Sequence, residues 1–338
     1  MTQADNCSIK AEDQPLVSVI IMSYNQDLYI EQAITSVIEQ TYKNLEIIIS
    51  DNGSTDQSKS IIQKFLSDSR VRFLDYLENG YITKRQNAAA HQASGEFISL
   101  LYGDDYYLPS KISNQIKIFH NLDETWGVVH GPGYILTQSG AQIMDTQSIQ
   151  AHGFCLKELL DCRQGLINPI SPLVRTSCYK KYPSFEEIFT EGEGLFFKFA
   201  LEYQFYYHQN PEIVMRIHDD NMSKAIIKNN EVFVYCMERI QAFANFPSNL
   251  ISNANHAIAY QQMITAKTLI KYLNTDISNI SQLFKSAIRR DKRIFLSFSG
   301  LLLAFITIMP SALTKMIFKI LKKIFPQNNA PILDDYYL

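Results

Sequence analysis

A chain of 338 residues, 46% apolar and 19% charged, can fill the core of one large α/β domain with a smaller appendage, which excludes a disordered or fibrous protein. The net charge of −3 carries no nucleic-acid signature, so no nucleic-acid partner is expected. Five cysteines (Cys7, Cys155, Cys162, Cys178, Cys236) are odd in number and lack metal-ligand spacing, which fits a reducing compartment and no disulfide framework.

Residues 1–14 read as a disordered leader without the charged-then-apolar pattern of a secretion signal, so residence in the cytoplasm is expected. Pro15 ends it. Residues 16–22 are a β-branched, nearly continuous apolar run, the pattern of a parallel strand covered on both faces. Ser23, Tyr24 and Asn25 follow as its loop. Ile30, Ala33, Ile34, Val37 and Ile38 recur at helical spacing and predict an amphipathic crossover helix, and residues 45–50 predict the second strand of a β-α-β unit. In the segment Asp51-Asn52-Gly53-Ser54-Thr55-Asp56-Gln57, Asn-Gly makes the turn. Ser54 is placed as an N-cap, and Gln57 completes a capping box for a helix through Ile61, Ile62 and Phe65. Asp51 is left over: it either caps the turn or faces a crevice as an acceptor towards a base or ribose.

Residues 71–75 predict a third strand and Asn79-Gly80 a turn. The next helix carries Asn87, Ala88 to Ala90 and Ala93, and Gly95 is expected to close it. Its small residues suit close packing beneath a ligand or plain core. Residues 96–101 form a buried strand that runs into Tyr102-Gly103-Asp104-Asp105-Tyr106-Tyr107-Leu108-Pro109. Two adjacent carboxylates thus stand at a strand's C-terminal edge, where open α/β sheets bind ligands. Neighbouring ionised acids repel, so a cation or hydroxyl donors suit the pair, although Gly-Asp-Asp-Tyr is also turn chemistry. Pro109 opens a helix through Ile112, Ile116 and Phe119, and residues 126–134 predict another strand. Residues 138–163 match no recognisable pattern.

Taken in order, these motifs resemble those of the family 2 glycosyltransferases, inverting sugar-nucleotide enzymes with the GT-A fold. The matching parts are residues 19–25, 50–56, Gly80 through Asn87 to 95–98, and 103–109, and the resemblance covers about residues 16–225. It implies a Rossmann-like α/β fold, a mostly parallel sheet flanked by helices, with a C-terminal helical extension. It also implies a base pocket formed by Asp51 with Ser23, Tyr24 and Asn25, with Asn87 in the nucleotide site. Asp104 is expected near the ribose and Asp105 on a divalent metal, Mn2+ or Mg2+, that bridges the donor's diphosphate. Tyr102 stands where many members carry a further acid. The catalytic base is expected in residues 189–199: Glu193 is favoured because an apolar helix follows it, and Glu191 is the alternative. Gly192 splits the acidic pair usual in the family, and acids also favour a helix N-terminus for structural reasons alone. The segment from Val214 to Ser223 resembles the family's closing Arg-x-His-x-x-Asn-x-Ser. On that basis His218 is a second metal or diphosphate ligand and Arg216 a diphosphate contact. Residues 169–175 resemble the segment that returns beneath the acceptor pocket.

Beyond about residue 224 the pattern is helical. Residues 294–309 are uncharged and mostly apolar, short of the roughly 20 residues needed to span a bilayer, and Pro310 breaks the run. Leu313, Met316, Ile317, Ile320, Leu321 and Ile324 then form one helical face, opposite Lys315, Lys319, Lys322 and Lys323. From Phe284 to Phe325, nine Lys or Arg against one acid give +8, leaving −11 for the rest of the chain. This is the pattern of a helix lying on an anionic membrane surface. Packing on protein, including a second copy in a homo-oligomer, is the alternative.

The expected organisation is a leader (1–14), a catalytic domain (15–225), a helical module (226–292), a membrane-associating segment (293–326) and a tail (327–338). The expected function is transfer of one sugar from a nucleotide-sugar donor, a UDP-sugar, to a lipid-linked glycan acceptor at the inner leaflet, for a bacterial surface polysaccharide. Two other readings stay open: a non-catalytic nucleotide- or glycan-binding member of an assembly complex, and a soluble transferase acting on protein or small glycans.

Overall fold

The computed structural model describes residues 14–137, 139–140, 142–145, 149–161, 167–192, 194–218, 226–272 and 277–296. The leader to residue 13, Glu193, residues 219–225 and the apolar and basic segment beyond residue 296 lie outside the described residues. The chain divides into two compact units. The first runs to Cys155 and resumes from Ile167 to Asp219, and the second takes Leu156–Leu166 and the chain from Asp220.

In the first unit, strands and helices alternate: β1 (Val17–Ser23), α1 (Ile30–Ile38), β2 (Leu45–Asp51), α2 (Ser58–Gln63), β3 (Val71–Asp75), α3 (Ile82–Gln92) and β4 (Phe97–Tyr102). All seven residues of β1 are buried, which is why that strand reads as a continuous apolar run. Helix α1 covers the sheet with Ile30, Ala33, Ile34 and Val37, each fully buried; every large aliphatic side chain so placed stabilises the fold by roughly 1.5–3 kcal/mol. Next come β5 (Tyr106–Tyr107), α4 (Lys111–Phe119), β6 (Trp126–His130), β7 (Tyr134–Leu136) and β8 (Gln142–Met144). After α5 (Leu156–Asp161), which belongs to the second unit, the first unit closes with β9 (Leu173–Arg175), α6 (Thr176–Lys181), α7 (Gly194–Phe199), β10 (Gln204–Tyr207) and β11 (Ile213–Arg216).

The main sheet has seven strands in the order β10-β6-β9-β4-β1-β2-β3. All are parallel except β9, which inserts antiparallel between β4 and β6. The chain leaves β1 towards β2 and β3, then returns to lay β4 on the other side of β1. The order therefore reverses between β1 and β4, and a crevice opens beyond their C-terminal ends. A second sheet, β5-β11-β7-β8, stands beside that crevice.

Three local expectations are corrected. Ser54 is no N-cap: α2 begins four residues later, the Ser58 N–H bonds Asp56 Oδ1 at 2.9 Å, and Ser54 turns back onto Asp51. Gly95 does not close α3, which ends at Gln92 with Ala93 already extended (φ −69°, ψ 128°). Its bare α-carbon instead lets the chain pass against β1, where a Cβ would come within 2.6 Å of Ser18 Oγ. The strand expected over 126–134 is two strands, β6 and β7, in different sheets, separated at Gly131-Pro132-Gly133.

The second unit packs α5 with α8 (Ile226–Gln241), α9 (Ile251–Tyr272) and α10 (Ile277–Arg290). Met263, Leu269, Ile280, Phe284 and Ile294 belong to its core. Among the described residues, no helix is long and apolar enough to cross a membrane.

Candidate functional site

The crevice between β1 and β4 is lined by two loops laced together. Asn25, at a positive φ of 51°, donates its backbone N–H to Ser54 Oγ (2.8 Å) and accepts the Thr55 N–H at its Oδ1 (2.8 Å). Gln26 N–H bonds Ser58 Oγ at 2.8 Å and Asp27 N–H bonds Asp56 Oδ2 at 3.0 Å. Asn25 tolerates this backbone because its short amide can bond locally. Ser23 is buried and Tyr24 is partly exposed at the rim.

Asp51 lies opposite Ser23 in the parallel register and is fully buried. It is not left over: Ser54 donates its N–H to Oδ2 (2.8 Å) and its hydroxyl to Oδ1 (2.5 Å), with Lys59 Nζ 3.8 Å from Oδ2. The carboxylate thus holds the loop whose Ser54 in turn holds Asn25. Next to it, Asn52 joins the Asn79-Gly80 turn and takes the Arg85 Nε–H at 3.1 Å, with the Arg85 guanidinium 3.6 Å above the Tyr76 ring. Gly53 is obligatory here: its φ is +81° and a Cβ would lie 2.4 Å from the Glu78 carbonyl carbon.

Asn87, expected in the nucleotide site, bonds to a segment about 97 residues further on. Its amide donates to Ser184 O and Glu186 Oε1 (both 2.9 Å) and accepts the Ser184 N–H (2.9 Å), so both ends are occupied in lashing residues 184–186 to α3. Thr83 extends the lashing, its hydroxyl on Ile188 O at 2.6 Å.

The acidic pair sits on the turn after β4, where the Gly103 N–H bonds Met22 O on β1 (2.9 Å). A Cβ on Gly103 would come within 2.2 Å of Gln26 Oε1, so a larger residue there would displace the Gln26 side chain. The turn leads into β5, which pairs antiparallel with β11 and so brings Arg216 and His218 to the acids. Asp105 Oδ1 accepts the Arg216 backbone N–H at 2.8 Å, and the Arg216 guanidinium donates to the Asp104 carbonyl. His218 Nε2 lies 3.1 Å from Asp104 Oδ2. The imidazole therefore meets the first acid of the pair, while the second is buried and bonds the backbone of β11. Burial, and then the charge of Asp104, push the Asp105 carboxyl well above the usual carboxylate range.

The sequence did not mark three further residues of this cluster. The Arg216 guanidinium lies between the rings of Tyr29 (5.1 Å) and Tyr106 (4.9 Å) and donates to Gln32 Oε1. The Tyr29 ring also stacks on His218 at 5.0 Å, with 29° between planes. Tyr106 stood next to the acids and could have been found from that; Tyr29 and Gln32 are more than 180 residues from Arg216 and carried no signal.

The donor set suits a hard or borderline divalent cation: carboxylate oxygens and an imidazole nitrogen within hydrogen-bonding distance. Among the described residues no group of three or more His, Cys, Asp or Glu is arranged to hold a metal unaided.

Of the two acids considered as base, Glu191 is described. It is buried against Lys198, with Nζ 2.7 Å from Oε1 and 2.9 Å from Oε2, and Oε2 also accepts the Phe185 N–H at 2.9 Å. Burial raises its pKa and Lys198 opposes the shift. Gly192 follows at φ +53°.

Residues 18–155 match the glycosyl transferase family 2 domain. An uncharacterized glycosyltransferase of Rickettsia typhi is 31% identical over 226 residues, covering 65% of this chain and 69% of that protein. The chain belongs to glycosyltransferase family 2. Another uncharacterized glycosyltransferase, from Rickettsia felis, is 29% identical over 64% of this chain, and the match spans only 36% of that longer protein. WfgD of Escherichia coli, named a UDP-Glc:alpha-D-GlcNAc-diphosphoundecaprenol beta-1,3-glucosyltransferase, is 37% identical over 177 residues, 49% of this chain and 68% of WfgD. Among solved structures, Staphylococcus aureus TarS 1–349 in complex with UDP-GlcNAc superposes with a TM-score of 0.65 at 15% identity, covering 90% of this chain and 89% of that one. The mannosyltransferase PcManGT from Pyrobaculum calidifontis, in complex with GDP-Man and Mn2+, does so with a TM-score of 0.56 at 14% identity, covering 93% and 88%. These neighbours share the GT-A fold, and the family 2 chain is a glycosyltransferase.

Proposed function

We propose that this glycosyltransferase moves one sugar, with inversion, from a UDP-sugar to a lipid-linked oligosaccharide in the synthesis of a bacterial surface polysaccharide. The observation that carries the reading is the convergence of Asp104, Asp105, Arg216 and His218 beside the Ser23–Asn25 loop, at the point where the strand order reverses. The name of WfgD, with its UDP-Glc donor and diphosphoundecaprenol-linked acceptor, supports the substrate classes.

In this reading Ser23, Tyr24 and Asn25 receive the base, with Asp51 fixing that loop through Ser54, and Asp104 lies towards the ribose. Asp105 and His218 are the residues assigned to a divalent cation, Mn2+ or Mg2+, and Arg216 to the diphosphate. Bound there, the cation supplies charge stabilisation to the departing diphosphate. Glu193 takes the proton of the acceptor hydroxyl; the oxygen forms its bond to the anomeric carbon as the bond to the diphosphate breaks, and UDP departs with that electron pair. Glu191 is a poor second choice because both its oxygens face Lys198.

Calorimetric titration of UDP with and without Mn2+, on the native chain and on Asp105→Asn, tests the site. Binding that strengthens with Mn2+ and loses that increment in the variant is expected. Equal binding under all conditions overturns the metal assignment, and no binding at all overturns the UDP donor.

A further inference from the structure

We propose that Tyr29 is a positioning residue for the diphosphate end of the donor site, holding the Arg216 and His218 side chains in register with the acidic pair, and that Gln32 is its second anchor. The inference rests on the donor-site reading above and adds to it two residues at the start of α1, the N-cap Tyr29 and Gln32, and a job for them.

Arg216 is the last residue of β11 and His218 lies two residues past it. The Ile217 N–H still bonds Leu136 O at 3.0 Å, but beyond the strand the direction of each side chain depends on what it packs against. A group that must meet a phosphate or a cation has to be held in one rotamer, and neighbours outside the ligand shell usually do this. Here one ring serves both groups: Tyr29 stacks on the His218 imidazole (5.0 Å between centroids) and lies 5.1 Å from the Arg216 guanidinium carbon. Three residues on, Gln32 Oε1 accepts from the same guanidinium. Arg216 is thus gripped between Tyr29, Tyr106, Gln32 and the Asp104 carbonyl, and its planar shape is directed rather than merely neutralised.

The position of Tyr29 along the chain gives it a further consequence. It caps α1 four residues after Asn25, and the intervening Gln26 and Asp27 are tied by their N–H groups to Ser58 and Asp56. The stretch that lines the base pocket therefore runs rigidly into the residue that sets the diphosphate contacts. A nucleotide's two ends are read from one continuous segment, 23–32.

Simple packing predicts a different result from positioning. A residue that only fills space weakens every ligand alike when removed, whereas a positioning residue affects only ligands that reach Arg216 and His218. The experiment compares UMP, UDP, and UDP with Mn2+ by calorimetry on the native chain, Tyr29→Ala, Tyr29→Phe and Gln32→Ala. Tyr29→Ala is expected to cut the ratio of UDP-Mn2+ to UMP affinity about tenfold while UMP binding stays put. Tyr29→Phe keeps the ring and the ratio, and Gln32→Ala shows a smaller loss. An unchanged ratio in Tyr29→Ala, or an equal loss for UMP and UDP, overturns the positioning role while the donor site stands. A native chain whose UDP binding gains nothing from Mn2+ overturns the metal reading and this role together.

Discussion

At the scale of single residues, the two neighbouring acids Glu191 and Glu193 have to be separated by experiment. Glu191 is one half of a buried ion pair, with Lys198 and Glu191 side chains both nearly inaccessible (1% and 2% exposed). Removing one partner of such a pair leaves the other charge buried, which costs about 3–5 kcal/mol. Glu191→Ala should therefore lower unfolding free energy by that amount in urea, whatever it does to turnover. Glu193→Gln should leave the urea midpoint in place and reduce kcat by about 10²–10⁴-fold, the usual contribution of a positioned base. A stable Glu191→Ala protein together with an active Glu193→Gln protein would reverse the assignment. Asp51 carries a related lesson. An acid at a strand end reads as unsatisfied in sequence when its partner, Ser54, also suits a helix cap; in the fold the serine bonds the carboxylate three residues back.

At the scale of elements, α1 ties together parts of the first unit that lie far apart in the chain. Its start reaches Arg216 and His218, and just past its end Gln40, fully buried, spans to the segment after the acidic pair. Gln40 Nε2 donates to Leu108 O (2.8 Å) and Ser36 O (3.0 Å), and its Oε1 accepts the Ile112 N–H (3.1 Å), one of the donors that the first turn of α4 cannot satisfy itself. Gln40→Leu should cost about 2 kcal/mol in chemical denaturation, since it leaves a buried carbonyl and a buried amide unpaired. A loss under about 0.5 kcal/mol would mean that water replaces the amide. Such long-range ties explain how much could be read beforehand. Strands β1 to β4 and their helices were legible because strands buried on both faces appear as apolar runs and amphipathic helices as 3.6-residue periods. The acids, Arg216 and His218 were legible as motifs. Strand β9 was not, since Leu173-Val174-Arg175 says nothing about which two strands it will enter, and neither was Asn87, whose partners lie about 97 residues away.

At the scale of the whole molecule, the expected membrane contact falls on residues outside those described, but the described part of the second unit sharpens its test. Two of the nine basic residues are already engaged there: Arg290 with Glu238, and Arg293 with Asp291 at 2.8 Å, which also accepts from His256. Ile294 is in the core. A chain ending at Arg290 would lose the Asp291 contacts to Arg293 and His256 and the core side chain of Ile294, so the comparison should be between the full chain and one ending after Leu296. Flotation on vesicles rich in anionic lipid is expected for the full chain alone, and to weaken with salt; equal flotation of the two would remove residues 297–338 from the argument. The antiparallel insertion of β9 has a last consequence, for the order of events during synthesis. Strand β6 hydrogen-bonds to β9 and β10 but not to β4, so it has no partner in the main sheet when it leaves the ribosome. At roughly 5–20 residues per second, the 43 residues from His130 to Leu173 take about 2–9 s to appear. For that interval the nascent chain holds a closed β1–β4 half with a bare edge on β4, the stage at which a chaperone would be most useful to it.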